Sequence, residues 1–490
     1  MPDALTQLTV LIQQGRSAKE DEIKPLVEAL FGQRYHKAAW KDLQVRNAYG
    51  LAREDVEGGV PYAGLIHPDN PTSGPYGGTS LVWFPGESGS LMGLGIGTRG
   101  ISPDEGILTR PGHRRRIAAL RRLFARHGVQ AWAKPDPAAL GIEVPEVVRA
   151  WWPEFAPAFR RYGSEMYCFA KVPGEPDAGR RVVQAFFDLY AHERRWKTLA
   201  AAQEESDDLL GALRSDLFQV PTPKLVHDLL LKRRFVILQG PPGTGKTRMA
   251  DLVRRDFFKG RGKTIQFHPS VTYEDFIVGL APDPTKGELH FQVRAGALLS
   301  AASQAAEGPY LLVIDEVNRA DLGKVLGEAI YLFEADEVGG QNAREVELPH
   351  SFNGKRTLRI PENLYVLATM NTADRSIAAV DLAIRRRFAF VAVPPNRSAV
   401  VEQGLESAVH CFDDLADVFV EHASDEALAL MPGHAYFLAG DEASLRRRMT
   451  FEVIPLLDDY LRQGLLGSAA AELQAVRDSL ADQYSVDASS

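Results

Sequence analysis

The chain has 490 residues, of which 45% are hydrophobic and 24% charged, and a formal net charge of −8. That balance suits a soluble protein of several domains and excludes a disordered chain or a polycation held to nucleic acid by its overall field. The two cysteines, Cys168 and Cys411, are far apart and lack CxxC spacing, which excludes a disulfide framework or a cysteine zinc site and leaves two buried thiols in a reducing cytosol.

The N-terminal stretch MPDALTQLTVLIQQGRSAKEDE has no basic run followed by an apolar core, so it does not read as a signal peptide. No apolar run approaches the ~20 residues of a membrane span. A cytoplasmic protein with no membrane contact is expected. Residues 1–205 mix strand and helix signals and are predicted to form an α+β domain ending in a charged helical linker. TSLVWFP and SLMGLGIGT read as strands bounded by Gly and Ser. GHRRRIAALRRLFARHG reads as a helix with Ile117, Leu120, Leu123 and Phe124 on one face and Gly128 closing it.

From residue 220 the rhythm changes. RRFVILQG, KTIQFHP, YLLVIDE and NLYVLATMN are apolar strands separated by helical segments, the pattern of a parallel sheet covered on both faces. This α/β core is placed at 220–395 and a small helical lid at 396–480. The tail DQYSVDASS is expected to fray.

GPPGTGKT, comprising Gly240, Pro241, Pro242, Gly243, Thr244, Gly245, Lys246 and Thr247, lies between a strand and a helix. That context gives the pattern its chemistry. Loop amides and the helix N-terminus cradle phosphates, Lys246 adds charge at the β/γ-phosphates, and the Thr247 hydroxyl ligates Mg²⁺. LLVIDE ends in Asp315, expected to hold Mg²⁺ directly or through water, and Glu316, expected to polarise the attacking water. The strand LYVLATM ends in Asn-Thr-Ala-Asp-Arg-Ser rather than in an ordinary turn. Ligands of open parallel sheets bind beyond the carboxyl ends of the strands, which places Asn371 at the γ-phosphate or the lytic water. The phosphate motif does not read the base, so ATP is the default substrate and GTP stays open.

FHPSVTYEDFIVGLAP, VIDEVNRADLGKVLGEAIYLFE, NLYVLATMNTADRSIAAVDLAIRRRFAF and PGHAYF with FEVIPLLDDYL together resemble the AAA+ module of the McrB family, the motor subunits of modified-cytosine restriction systems. The resemblance covers about residues 225–465. It implies a P-loop NTPase core with a helical lid, a homo-oligomeric ring, usually a hexamer, with nucleotide between neighbours, and a separate McrC-type nuclease partner. By it Asn371 resembles sensor 1, and Asp374 and Arg375 complete that signature. The cluster in AIRRRF holds the arginine-finger position, Arg386 first and Arg387 second, since consecutive helical residues lie about 100° apart. It places His434 of GHAYF near the nucleotide and leaves Arg446, Arg447 and Arg448 as rival lid arginines. Asn318 and Arg319 fall at the subunit interface. An insertion between Gly279 and Gly296 and a hairpin around FNGK would face the pore or a partner, by analogy.

The N-terminal half resembles little beyond a domain accompanying some McrB-like motors. Arg114, Arg115, Arg121, Arg122 and Arg126 decorate one helix and would neutralise DNA phosphates, or simply form its solvated face. Trp83 and Tyr76 would stack on an extruded base, or belong to the core. No nuclease pattern of spaced acids plus Lys stands out. Two functions therefore stand side by side: a restriction-type motor whose N-domain reads DNA, and a MoxR-like ATPase that remodels a protein partner. A slow nucleotide-gated switch is a third.

Overall fold

A computed structural model describes residues 3–49, 59–66, 78–97, 105–139, 141–282, 290–339, 343–373 and 382–484. Tyr76, Asp374, Arg375, the middle of the Gly279–Gly296 insertion and the last residues of the tail lie outside them. The chain divides into two compact units, residues 1–217 with 420–422, and residues 218–419 with 423–490.

In the first unit six strands, β1 (Gln44–Asn47), β2 (Ala63–Ile66), β3 (Gly78–Gly86), β4 (Gly89–Gly97), β5 (Ala131–Ala133) and β6 (Met166–Lys171), form one antiparallel sheet in the order β1-β2-β3-β4-β6-β5. Side chains alternate across it. Leu81, Trp83, Met92 and Leu94 join a core with residues of the helices Ala4–Gln14, Ile23–Arg34 and Pro176–Glu193. Phe84, Leu91 and Phe169 join a second core with Trp152, Phe155 and Phe159. Burial on both faces explains why β3 and β4 read as continuous apolar runs. A β-carbon at Gly93 would come within 2.3 Å of the Cys168 carbonyl, so the glycines of SLMGLGIG admit β6 close alongside.

The helix Ala200–Leu217 runs through the boundary expected near 205 and stays with the first unit to its end, because Ala202, Ser206, Leu213 and Asp216 are buried. Cys168 and Cys411 are both buried free thiols.

The second unit holds five parallel strands, β7 (Phe235–Gly240), β8 (Gly262–Gln266), β11 (Tyr310–Asp315), β14 (Leu364–Asn371) and β15 (Ala389–Ala392), in the order β15-β7-β14-β11-β8. Ile237, Leu312 and Val366 pack on one face and Val236, Leu311 and Leu367 on the other. Two antiparallel pairs complete it: β9 (Val278–Pro282) with β10 (Phe291–Ala295), and β12 (Val346–Phe352) with β13 (Lys355–Leu358). The second is the hairpin expected around FNGK. Phe352 faces Lys355, and Asn353 and Gly354 both have positive φ, 51° and 76°, as a type I′ turn requires. A helical lid with its own core, including Leu415, Phe437, Leu445, Leu457 and Leu473, follows β15. No helix among the described residues is long and apolar enough to cross a membrane.

Candidate nucleotide site

Three strands of the second unit end together. Asn371 pairs in register with Gly240, and Ile314 with Ala368, so the carboxyl ends of β7, β14 and β11 share one edge. At that edge the loop Gly240–Thr247 leaves β7 and enters the helix Lys246–Phe257. Gly243 and Gly245 have φ of 76° and 78°, a left-handed backbone that non-glycine residues adopt only at a cost.

Lys246 is buried and donates to the carbonyls of Gly240 (2.9 Å) and Pro241 (2.7 Å). Burial pushes its ammonium down to about 8, against the pull of Glu316 and Asp315. The Thr247 hydroxyl donates to Asp315 Oδ1 at 2.9 Å. The same oxygen accepts the hydroxyl of Thr369 at 2.5 Å, and Thr369 Oγ1 accepts the backbone N–H of Glu316 at 3.0 Å. Glu316 itself is left-handed, with φ 55° and ψ 47°, an arrangement that costs on the order of 1 kcal/mol for a side chain of this kind. Its Oε2 is buried without a hydrogen bond among the described residues, 3.5 Å from Arg319 Nε. Asn318 is buried and donates to the Asn371 carbonyl at 3.1 Å. The Asn371 side-chain oxygen accepts the N–H of Ala373 at 3.0 Å. That turn occupies the acceptor end of the amide, whereas a phosphate oxygen needs the NH₂ end.

The lid reaches the loop directly. Gly433 donates to the Pro242 carbonyl (2.9 Å) and Ala435 to that of Gly243 (3.0 Å). His434 Nε2 lies 3.8 Å from where a β-carbon on Gly245 would be, and its Nδ1 accepts the N–H of Asn396 at 3.2 Å. Burial, and then Arg248, hold the His434 imidazole below its ordinary range, so it is neutral at pH 7. Among the rival lid arginines, Arg448 bonds the Ala435 carbonyl at 3.1 Å, whereas Arg447 bonds Ser444 and Arg446 lies over Tyr484.

The arginine cluster, on the helix Leu382–Arg387, divides. Arg387 is buried, with Nε 3.3 Å from Glu334. Arg386 keeps 67% of its side chain exposed, 3.6 Å from the same carboxylate. Asp374 and Arg375 lie outside the described residues.

These residues fit Mg²⁺ and a nucleoside triphosphate. The left-handed glycines form a loop of phosphate-binding shape, Lys246 supplies a buried cation, and Glu316 Oε2 is a buried acceptor with no hydrogen bond among the described residues. Thr247 and Asp315 offer two oxygen ligands, and Mg²⁺ characteristically completes its shell with phosphate oxygens and water.

The sequence reading passed over Thr369, Gly433 and Glu334. Thr369 carried a signal, being a polar residue two places before Asn371 in an apolar strand.

In the first unit the structure places Trp83 in the core, the second of the two readings open to it. Its ring is wholly buried, and Nε1 donates to Tyr49 OH at 2.8 Å. Of the five arginines on the helix Pro111–Arg126, Arg115 is buried, and Arg122 and Arg126 both bond Asp216. They do not form one strip facing solvent. Arg121 is exposed and Arg114 half-buried.

A parallel sheet with a glycine-rich loop, an acid pair and a strand ending in a polar residue at one edge defines a P-loop nucleotide-binding module of the AAA class. Residues 235–388 match the family model described as AAA domain (dynein-related subfamily). The resemblance to McrB-type AAA+ modules holds over about half the chain. It is 35% identical over 288 residues to the Type IV methyl-directed restriction enzyme EcoKMcrB subunit of Escherichia coli K12, covering 53% of this chain and 61% of that protein. It is also 25% identical over 230 residues to the Type II restriction enzyme BsuMI component YdiS of Bacillus subtilis 168, covering 38% of this chain and 64% of that one. The chain thus spans less than two thirds of the length of these relatives. Solved NtrX from Brucella abortus, in complex with ADP, aligns at 13% identity with a TM-score of 0.26 over 62% of this chain and 58% of that one, a likeness too slight to add weight.

Proposed function

We propose that the chain hydrolyses a nucleoside triphosphate at the Gly240–Thr247 loop and acts as the motor subunit of a restriction-type or phage-defence system. The observation that carries this is the convergence of Lys246, Thr247, Asp315, Glu316 and Asn371 at one sheet edge with the lid seated on the loop. Lys246 turns from the loop carbonyls to the β/γ-phosphates. Thr247 and Asp315 would hold Mg²⁺, which would neutralise charge on the phosphates. Glu316 accepts a proton from the attacking water, and the Asn371 amide orients that water or the γ-phosphate. Arg386 reaches into the neighbouring subunit of a ring, a hexamer by resemblance, and offsets charge on the transferred group. Asn318, Arg319, Asp374 and Arg375 line that interface, with His434 against the loop. ATP is the default substrate and GTP the alternative.

We assign DNA reading to the N-terminal unit through Arg114 and Arg121 with contributions from Arg122 and Arg126, and cutting to a McrC-like nuclease partner. The restriction relatives support this assignment. One observation favours the second reading, remodelling of a protein: Arg115 and Trp83 are buried, and Asp216 already engages two of the arginines.

The test uses the full chain. Phosphate release from ATP and GTP with Mg²⁺ is measured for wild type, Lys246→Ala and Glu316→Gln, alongside binding to unmodified and cytosine-modified duplex DNA at two salt concentrations. Turnover that collapses in both variants supports the site. Normal turnover in either rejects it. Salt-sensitive binding that prefers the modified duplex supports restriction, and none at low salt supports the remodelling reading.

A further inference from the structure

Thr369 is 2% exposed on the sensor strand β14, and nothing in the mechanism above uses it. We propose that Thr369 is a positioning residue that sets the Asp315–Glu316 pair for Mg²⁺ and water. This rests on the nucleotide-hydrolysis reading of the same site.

A threonine hydroxyl has one proton to donate and lone pairs to accept with. Here the proton goes to Asp315 Oδ1 at 2.5 Å, a charge-assisted bond, and a lone pair takes the Glu316 N–H at 3.0 Å. One buried group thereby fixes the side chain of the first acid and the main chain of the second. A buried strand hydroxyl with no functional part would ordinarily bond the backbone of its own segment. This one instead spans two strands, and the register that sets Ala368 beside Ile314 brings it there.

Asp315 Oδ1 also accepts the Thr247 hydroxyl, whose oxygen is the one available to Mg²⁺. A second, buried donor on the same oxygen fixes the rotation of the Asp315 carboxylate. Glu316 leaves β11 in a left-handed conformation that its own side chain disfavours, and its N–H is anchored by Thr369. Asn318 adds a second tie between the same chain ends through the Asn371 carbonyl. The acid strand and the sensor strand therefore carry their polar groups as one unit. Partners that orient a metal's ligands typically change affinity or activity by about 10- to 100-fold when removed.

The test compares full-length wild type, Thr369→Val, which keeps the shape and loses the hydroxyl, and Thr369→Ser, which keeps the hydroxyl. Three quantities are read: kcat and KM for phosphate release, affinity for a fluorescent ATP analogue with Mg²⁺ and with EDTA, and the thermal midpoint. Thr369→Val is expected to lose about 10- to 100-fold in kcat and most of the Mg²⁺-dependent gain in affinity, with its affinity in EDTA unchanged. Thr369→Ser should stay within about threefold of wild type on both, as a hydroxyl-dependent role requires. The proposal is overturned if Thr369→Val matches wild type, if Thr369→Ser falls as far as Thr369→Val, or if affinity drops equally with and without Mg²⁺ together with the midpoint. Wild type that releases no phosphate would overturn the hydrolysis reading, and the Mg²⁺-dependent gain in binding would still decide the role of Thr369.

Discussion

Gly433 of the lid lies flat against Gly243 of the phosphate loop: a β-carbon on Gly433 would come within 2.1 Å of the Gly243 carbonyl carbon and 2.5 Å of the Thr244 nitrogen. The backbone of Gly433 is ordinary, with φ −68° and ψ 161°, so the constraint is space and not conformation. Gly433→Ala should push the lid off the loop. It is expected to cost about 1–3 kcal/mol in stability, as overpacking does, and to weaken nucleotide binding by at least about tenfold. Gly440→Ala, where a β-carbon meets nothing within 4 Å among the described residues, is the control and should be near neutral. Urea unfolding and nucleotide titration of the two variants check this. Equal behaviour would remove the lid–loop contact from the account of binding.

Lys246 gives a pH dependence with a definite sign. In the unfolded chain its ammonium titrates near 10.5, and in the folded site near 8. Below pH 8 both states hold the proton and the cost of the buried charge stands in full. Between 8 and 10.5 the folded state sheds its proton first, so stability rises with pH across that window. Bound phosphate favours the ammonium, so nucleotide affinity runs the opposite way. It should be flat below pH 8 and fall by up to about tenfold per pH unit above it. Fluorescent-nucleotide titrations from pH 7 to 10 read this directly, and affinity that holds steady through pH 9 contradicts it.

The strand ends that build the site were legible because they break a local rule. A Gly-rich turn after an apolar strand, an Asp-Glu pair closing another and Asn-Thr-Ala-Asp-Arg-Ser closing a third are each poor surface chemistry and good phosphate chemistry. The short strand β15 was not legible, since its pairing partner, β7, is remote in sequence. The same holds for side-chain partners. Periodicity shows that Arg386 and Arg387 point differently, but only Glu334, brought up by another segment, decides which turns inward. The amphipathic pattern of 200–217 was readable as a helix, while the buried Asp216 that ties it to the first unit was not.

That division of the arginines predicts two distinct defects. Arg387→Ala removes the nearest cation from the half-buried Glu334 and should cost about 1–3 kcal/mol in stability. Arg386→Ala should leave stability within about 0.5 kcal/mol and lower hydrolysis by about 10³-fold. A finger acting across subunits adds a stricter requirement. Mixing Arg386→Ala with Glu316→Gln should restore part of the turnover, because the second variant lends its arginine to the intact site of the first. Mixtures no more active than their components would place the finger elsewhere.

Asp216 offers a way to weigh the two readings of the N-terminal unit. Its side chain is fully buried and engages Arg122 and Arg126, whose side chains remain 42% and 46% exposed. Asp216→Asn keeps the shape and removes the charge, so two guanidinium groups lose their counter-ion. Stability should fall by roughly 2–4 kcal/mol, as when one partner of a buried pair is lost. If the helix neutralises DNA phosphates, the freed charge should strengthen binding of the full chain to duplex DNA. The slope of log affinity against log salt should then steepen by about 0.9 for each arginine released. Arg121→Ala should move that slope the other way by a similar amount. Slopes unchanged in both variants mean that the helix is built for its own domain, and then a protein is the better target.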